Sequence, residues 1–159
     1  MMNFGLYAHA ADIIPGLSGV KNIGQPAINR YTAGQPEPEL FSAFAKAGVK
    51  HVINLRPPAE TPNLNEAALV TKAGMAYYNV PIAGMRDLTR DNVVLIDKLL
   101  QKIGDESTLL HCSSSNRVGA VMALRAGWLK GASFDKAIAI GKQWGLTRMQ
   151  PGVEQLLLQ

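Results

Sequence analysis

Three β-rich runs, VKHVINL, MAYYNVPI and STLLHC, each follow a stretch whose apolar residues recur at helical spacing. In ELFSAFAKAG, Leu40, Phe41, Phe44 and Ala45 share one helical face and Gly48 stops the helix. NLNEAALVTKAG reads as a second helix closed at Gly74, and TRDNVVLIDKLLQKI sets Val93, Ile96, Leu100 and Ile103 behind Thr89 as N-cap. Strands separated by helices pair in parallel through right-handed crossovers. The expected fold is therefore α/β: a three-layer domain with a mainly parallel sheet flanked by helices. The first strand ends at Arg56-Pro57-Pro58, because proline cannot continue a ladder.

The rest of the chain fits this frame. A loop-rich lead runs to about Asn29, and RYTAGQPEP carries turn residues, so residues 1–28 read as a lead segment and 29–159 as one domain. Residues 118–129 are apolar almost all round, which predicts a helix buried against the sheet. SFDKAIAIGKQWG and PGVEQLLLQ supply two more helices. No apolar run approaches the roughly 20 residues that span a bilayer, so no membrane partner is expected. The formal charge of +4 favours anionic ligands, but it lacks the basic clusters that nucleic-acid binding requires. The Ala-His-Ala around His9 is similar to a signal-peptidase site without a basic n-region, which leaves cytoplasm and periplasm both open.

One cysteine, Cys112, excludes an internal disulfide and a Cys-rich zinc site, and His9, His51 and His111 are too scattered for a metal cluster. No glycine spacing makes a nucleotide loop, so neither metal nor organic cofactor is expected. In such sheets ligands bind beyond the carboxyl ends of the strands, and Cys112 closes the last strand. With a helix starting near Arg117 or Val118, the amides of Ser113, Ser114, Ser115, Asn116 and Val118 lack helical partners and can cradle an anion. That cradle and the helix dipole bias a thiol toward thiolate. Arg117 adds a planar fork for two phosphate oxygens. The set describes phosphoryl transfer through Cys112, with a phosphate or sulfate ion fitting the loop. Asp87, in GMRDLTRDN, is the candidate proton donor, ahead of Asp91 and Glu60; as easily it is a first-turn charge. His111 either orients the loop or is a buried, satisfied imidazole.

HCSSSNRVGA resembles the signature loop of protein tyrosine and dual-specificity phosphatases, in which a His-Cys pair ends a strand and an arginine opens a helix. Those enzymes place five residues between cysteine and arginine and then a hydroxyl residue; here four intervene and Val118 follows. The shorter spacing is similar to that of rhodanese-type sulfurtransferases. YTAGQP, VINLRPPAE, NVPIAG and LLHCSSSNRVGA occur in the order found in a bacterial family of beta-lactamase-hydrolase-like phosphatases, which has a shortened Cys-x4-Arg loop. That resemblance implies a protein tyrosine phosphatase-like fold, Cys112 and Arg117 as catalytic residues, and Arg56 near the pocket mouth. It implies a phosphorylated small molecule or phosphoprotein as substrate. The competing expectations are a Cys112 persulfide sulfurtransferase and a non-catalytic anion- or phosphopeptide-binding module.

Overall fold

The computed structural model describes residues 15–159, so the Ala-His-Ala segment lies outside the described residues. Five strands form one sheet: β1 (Gly24–Ala27), β2 (Arg30–Ala33), β3 (His51–Asn54), β4 (Ala76–Asn79) and β5 (Thr108–His111). Their order in space is β1-β2-β5-β3-β4. The β2, β5, β3 and β4 strands are mutually parallel, and β1 joins β2 as an antiparallel edge. The chain after β4 returns past β3 to place β5 between β2 and β3, with parallel neighbours on both sides. The end of β5 is therefore the centre of the carboxyl edge, where doubly flanked sheets bind ligands.

Two sequence expectations change here. RYTA is a strand rather than a turn, and the described part of the lead is not loop alone, since GQPA forms β1. Leu17, Val20 and Ile23 are buried with Tyr31, Phe41 and Phe44 in one core cluster. The sequence signal was weak because both strands are only four residues long, and a proline sits within the edge strand, where it is tolerated.

Among the described residues, six α-helices cover the two faces. The first pair, α1 (Phe41–Lys46) and α2 (Glu66–Lys72), bury Phe41, Phe44 and Val70 with Val52 and Leu109. The other four are α3 (Arg90–Ile103), α4 (Asn116–Leu124), α5 (Phe134–Gln143) and α6 (Gln150–Leu157), covering the face that carries Ile53, Leu110 and Cys112. The alternation is the two-residue period of a strand: Leu109 faces one layer, Leu110 and Cys112 the other. The Thr89 hydroxyl caps α3 by accepting from Asn92 N–H at 3.2 Å. The expected long apolar helix is α4 continued by a π-helical turn over Arg125–Leu129. A Cβ on Gly119 would lie 2.6 Å from the Gly141 carbonyl oxygen, so α4 and α5 approach at backbone distance. Among the described residues, no helix is long and apolar enough to cross a membrane.

Candidate active site

The last residues of the parallel strands, Ala33, His111, Asn54 and Asn79, lie in one register row. The chain leaves that row through Gly34, Cys112 and Leu55, so three loops meet at the sheet centre. The loop after β5 is short, because α4 begins at Asn116 and Arg117 is already its second residue. Ser115 enters the helix at φ +71°, a left-handed geometry that a non-glycine residue holds only when its surroundings insist. They do: the Ser115 hydroxyl lies 2.5 Å from the Thr32 hydroxyl, and both lie 2.8 Å from the Trp144 carbonyl oxygen. Two hydroxyl hydrogens serve three contacts. Gln35 N–H donates to the Ser113 carbonyl at 3.0 Å, and the buried Asn116 Oδ1 accepts from Thr147 N–H and Met149 N–H at 2.8 and 3.3 Å. An isolated antiparallel bridge between Gly34 and Ser114 ties the backbone of this loop to the exit of β2.

Arg117 is turned inward, with its side chain 13% exposed. Its Nη1 donates to Glu60 Oε2 and to the Ile82 carbonyl, both at 2.8 Å, and its Nη2 donates to Glu60 Oε1 at 2.9 Å. A guanidinium has five N–H donors in a rigid plane. Glu60 takes the terminal Nη1/Nη2 edge and Ile82 the outer Nη1 hydrogen. Those two partners leave Nε–H with the second Nη2 hydrogen, two parallel donors on one edge of the kind that grips two oxygens of an oxyanion, and the guanidinium also hydrogen-bonds the Cys112 side chain. Arg117 is held above the usual arginine range, first by its bond to Glu60 and then, against burial, by the charge of Cys112. The same pair holds Glu60 below the usual carboxylate range, with Arg56 contributing. A carboxylate kept ionised is a poor proton donor, which leaves Glu60 the work of orienting Arg117.

Cys112 has no solvent exposure and belongs to the core cluster with Leu110 and Val118. The sequence places this residue at the carboxyl edge of the sheet; the structure keeps it there, directly after β5, but buried. A cavity of about 630 Å³ is lined by its neighbours Ser113, Ser114, Asn116 and Arg117, with Glu60 on its wall, while Cys112 itself is not part of the lining. Ala83, Gly84 and Met85 also line it, but Asp87 does not; the Asp87 carboxylate accepts from Ala83 N–H at 2.7 Å, behind that wall. Arg56 stands behind Glu60 rather than in this cavity. It donates to Glu60 Oε1 at 3.0 Å and to Gln35 Oε1 at 3.1 Å, and lines a neighbouring cavity of about 290 Å³.

His111 satisfies both sequence alternatives at once. It is fully buried, with Nδ1 3.2 Å from the Cys112 carbonyl oxygen and Nε2 2.6 Å from Glu66 Oε2. Gln35 Nε2 donates to the other Glu66 oxygen at 2.8 Å. A continuous polar chain thus runs from the Cys112 backbone through His111, Glu66, Gln35, Arg56 and Glu60 to Arg117, tying both ends of the loop to the β2 and β3 exits. Glu66 and Gln35 gave no usable signal in sequence. A glutamate opening a helix reads as a solvated dipole charge, and a glutamine beside Pro36 reads as loop.

No family model matches the chain. It is 34% identical over 96 residues, 58% of its length, to the Beta-lactamase hydrolase-like proteins of two Xylella fastidiosa strains, and that match spans 22% of their length. Among solved structures it is similar to a protein of Shewanella putrefaciens CN-32 described as "Putative phosphatase (DUF442)", with TM-score 0.71 and 22% identity, covering 89% of this chain and 94% of that one. A Neisseria meningitidis Z2491 structure described as "a putative phosphatase" gives TM-score 0.68 and 19% identity over 83% and 94% of the two chains. P. aeruginosa TpbA in complex with pTyr gives TM-score 0.57 and 13% identity over 86% and 90%. The chain is thus a homologue, over those 96 residues, of the Beta-lactamase hydrolase-like proteins, and it has the fold of the protein tyrosine phosphatase-like enzymes.

Proposed function

We propose that the protein hydrolyses a phosphomonoester through a cysteinyl-phosphate on Cys112. The observation that supports this reading is Arg117, fixed by Glu60 and Ile82 so that its Nε–Nη2 edge is left to other partners, and in electrostatic and hydrogen-bond contact with Cys112. Sγ attacks phosphorus in line with the ester oxygen; an S–P bond forms as the P–O bond breaks. Asp87, which is bonded to Ala83 N–H and does not line the cavity in this structure, is the group proposed to give its proton to the leaving alkoxide or phenoxide. Water then attacks phosphorus and gives a proton to the Asp87 carboxylate, the S–P bond breaks to return the Cys112 thiolate, and inorganic phosphate leaves. The equatorial oxygens stay on the Arg117 edge and the amides of residues 113–118, where charge develops and where prearranged donors count most. The phosphotyrosine complex of a protein with this fold supports a phosphorylated substrate class.

One competing reading also has an observation behind it. The zero exposure of Cys112 suits an anion-binding module in which the sulfur is only packing. Turnover of phenyl phosphate and of p-nitrophenyl phosphate separates the two. Cys112→Ser is expected to abolish both activities while still binding phosphate. Asp87→Asn is expected to lower kcat/KM by about 100-fold on phenyl phosphate, whose poor leaving group needs a proton, and far less on the nitrophenyl ester. Phosphate binding without turnover of either ester would select the module.

A further inference from the structure

The cavity at the loop is far larger than one phosphate, and two of its cations lie outside the Arg117–Glu60 pair. Its charged lining is Lys21, Arg117, Arg148 and Glu60. Glu60 and Arg117 neutralise each other in their pair. Lys21 and Arg148 have no ion pair or side-chain hydrogen bond among the described residues. From this, resting on the phosphatase reading above, we infer that the site takes phosphomonoesters bearing a second oxyanion, seated between Lys21 and Arg148 over Ser114.

The two cations are not loosely scattered surface charges, because the loop itself holds the backbone of each. The Lys21 carbonyl accepts from Gly34 N–H at 2.8 Å, and Gly34 forms an isolated bridge with Ser114. The Lys21 stem lies alongside: its Cγ is 3.3 Å from where a Gly34 Cβ would stand. On the other side, Arg148 sits between Thr147 and Met149, whose amides both donate to Asn116 Oδ1. Asn116 opens the helix that carries Arg117. Each cation is thus one hydrogen-bonded step from the cradle.

Arg148 and Ser114 are also shared with an adjoining cavity of about 530 Å³ lined by Asn22, Ile23 and Thr147. The space for a second group therefore continues past Ser114 rather than ending at the first phosphate. Met85 and Met149 give the main cavity an apolar, adaptable wall for the organic scaffold. A phosphomonoester carries close to two negative charges near neutrality. The first one meets Arg117 and the amides; a second has only Lys21 and Arg148 to meet.

The test compares kcat/KM for phenyl phosphate with that for meta- and para-phenylene bisphosphate at low and high salt. The bisphosphates are expected to be preferred by about 10-fold or more at low salt, with the preference shrinking as salt screens exposed charge. In Lys21→Gln/Arg148→Gln the ratio of bisphosphate to monophosphate kcat/KM is expected to collapse toward one. A ratio near one in the unaltered protein, or one unmoved by the double substitution, would overturn the inference. Should neither ester turn over, the phosphatase reading fails by itself, and calorimetric binding of bisphosphate against inorganic phosphate still decides the subsite. Tighter bisphosphate binding that is lost in the double variant supports it, and equal binding rejects it.

Discussion

At the scale of single residues, the proton between His111 and Glu66 is the most informative. The Cys112 carbonyl can only accept, so His111 Nδ1 carries a hydrogen, and the 2.6 Å contact from Nε2 to Glu66 holds one more proton between nitrogen and oxygen. The pair is neutral overall whichever atom holds it, which is why it can lie almost wholly out of water; a buried unpaired charge costs several kcal/mol. Glu66→Gln can donate to a neutral imidazole and still accept from Gln35. It is expected to cost about 1 kcal/mol or less in urea unfolding. Glu66→Ala strands two buried donors or acceptors beside a cavity and is expected to cost about 3 kcal/mol. A comparable loss in the glutamine variant would mean that the imidazole must be charged, and the shared-proton picture would fall.

At the scale of elements, the loop after β5 is held from its flanks. Its left-handed Ser115 packs on Gly145, which itself has φ +107° and whose Cβ, if it had one, would stand 2.6 Å from the Ser115 Cβ. Gly145→Ala therefore meets both backbone strain and a collision with the loop. The expected cost is about 2 to 4 kcal/mol, together with weaker phosphate binding. Gly74, at φ +88° with nothing near its Cβ position, is the control: alanine there pays for strain alone, about 1 kcal/mol, and leaves binding intact. If both substitutions cost the same in a urea melt, Gly145 has no special tie to the loop. Helix periods and stops were legible from the chain, as Thr89, Gly48 and Gly74 show. The β1–β2 pair was not, since four-residue strands containing Pro26 or followed by Gly34 carry the same residues as turns.

At the scale of the whole molecule, ion pairs join distant elements and give stability a pH dependence. Glu60 is held low by its bonds to Arg117 and Arg56, against burial. Burial pushes Asp97 up, but Arg125 at 2.8 Å and Lys130 at 3.2 Å outweigh it and leave its carboxyl below the usual range. Both folded pKa values are depressed, so both pairs stabilise the fold above the unfolded values of about 4.3 and 3.9. That stability is lost as pH falls through the folded values. Urea midpoints are expected to hold steady down to about pH 5 and drop below about pH 4, with Glu60→Gln and Asp97→Asn each flattening the acid limb. An unchanged limb in both variants would remove these pairs from the acid response. By itself the chain determined its α/β alternation, the helix caps, and the pairing of one thiol with one arginine at a strand-to-helix turn, because each is set by neighbours in sequence and by periodicity. Only the tertiary structure decided that β5 lies at the centre of the sheet, that Glu60 and Ile82 leave Arg117 its Nε–Nη2 edge for other partners, and that Lys21 and Arg148 flank one cavity. Those facts depend on residues tens of positions apart meeting through the crossover order of strands, which no local pattern encodes.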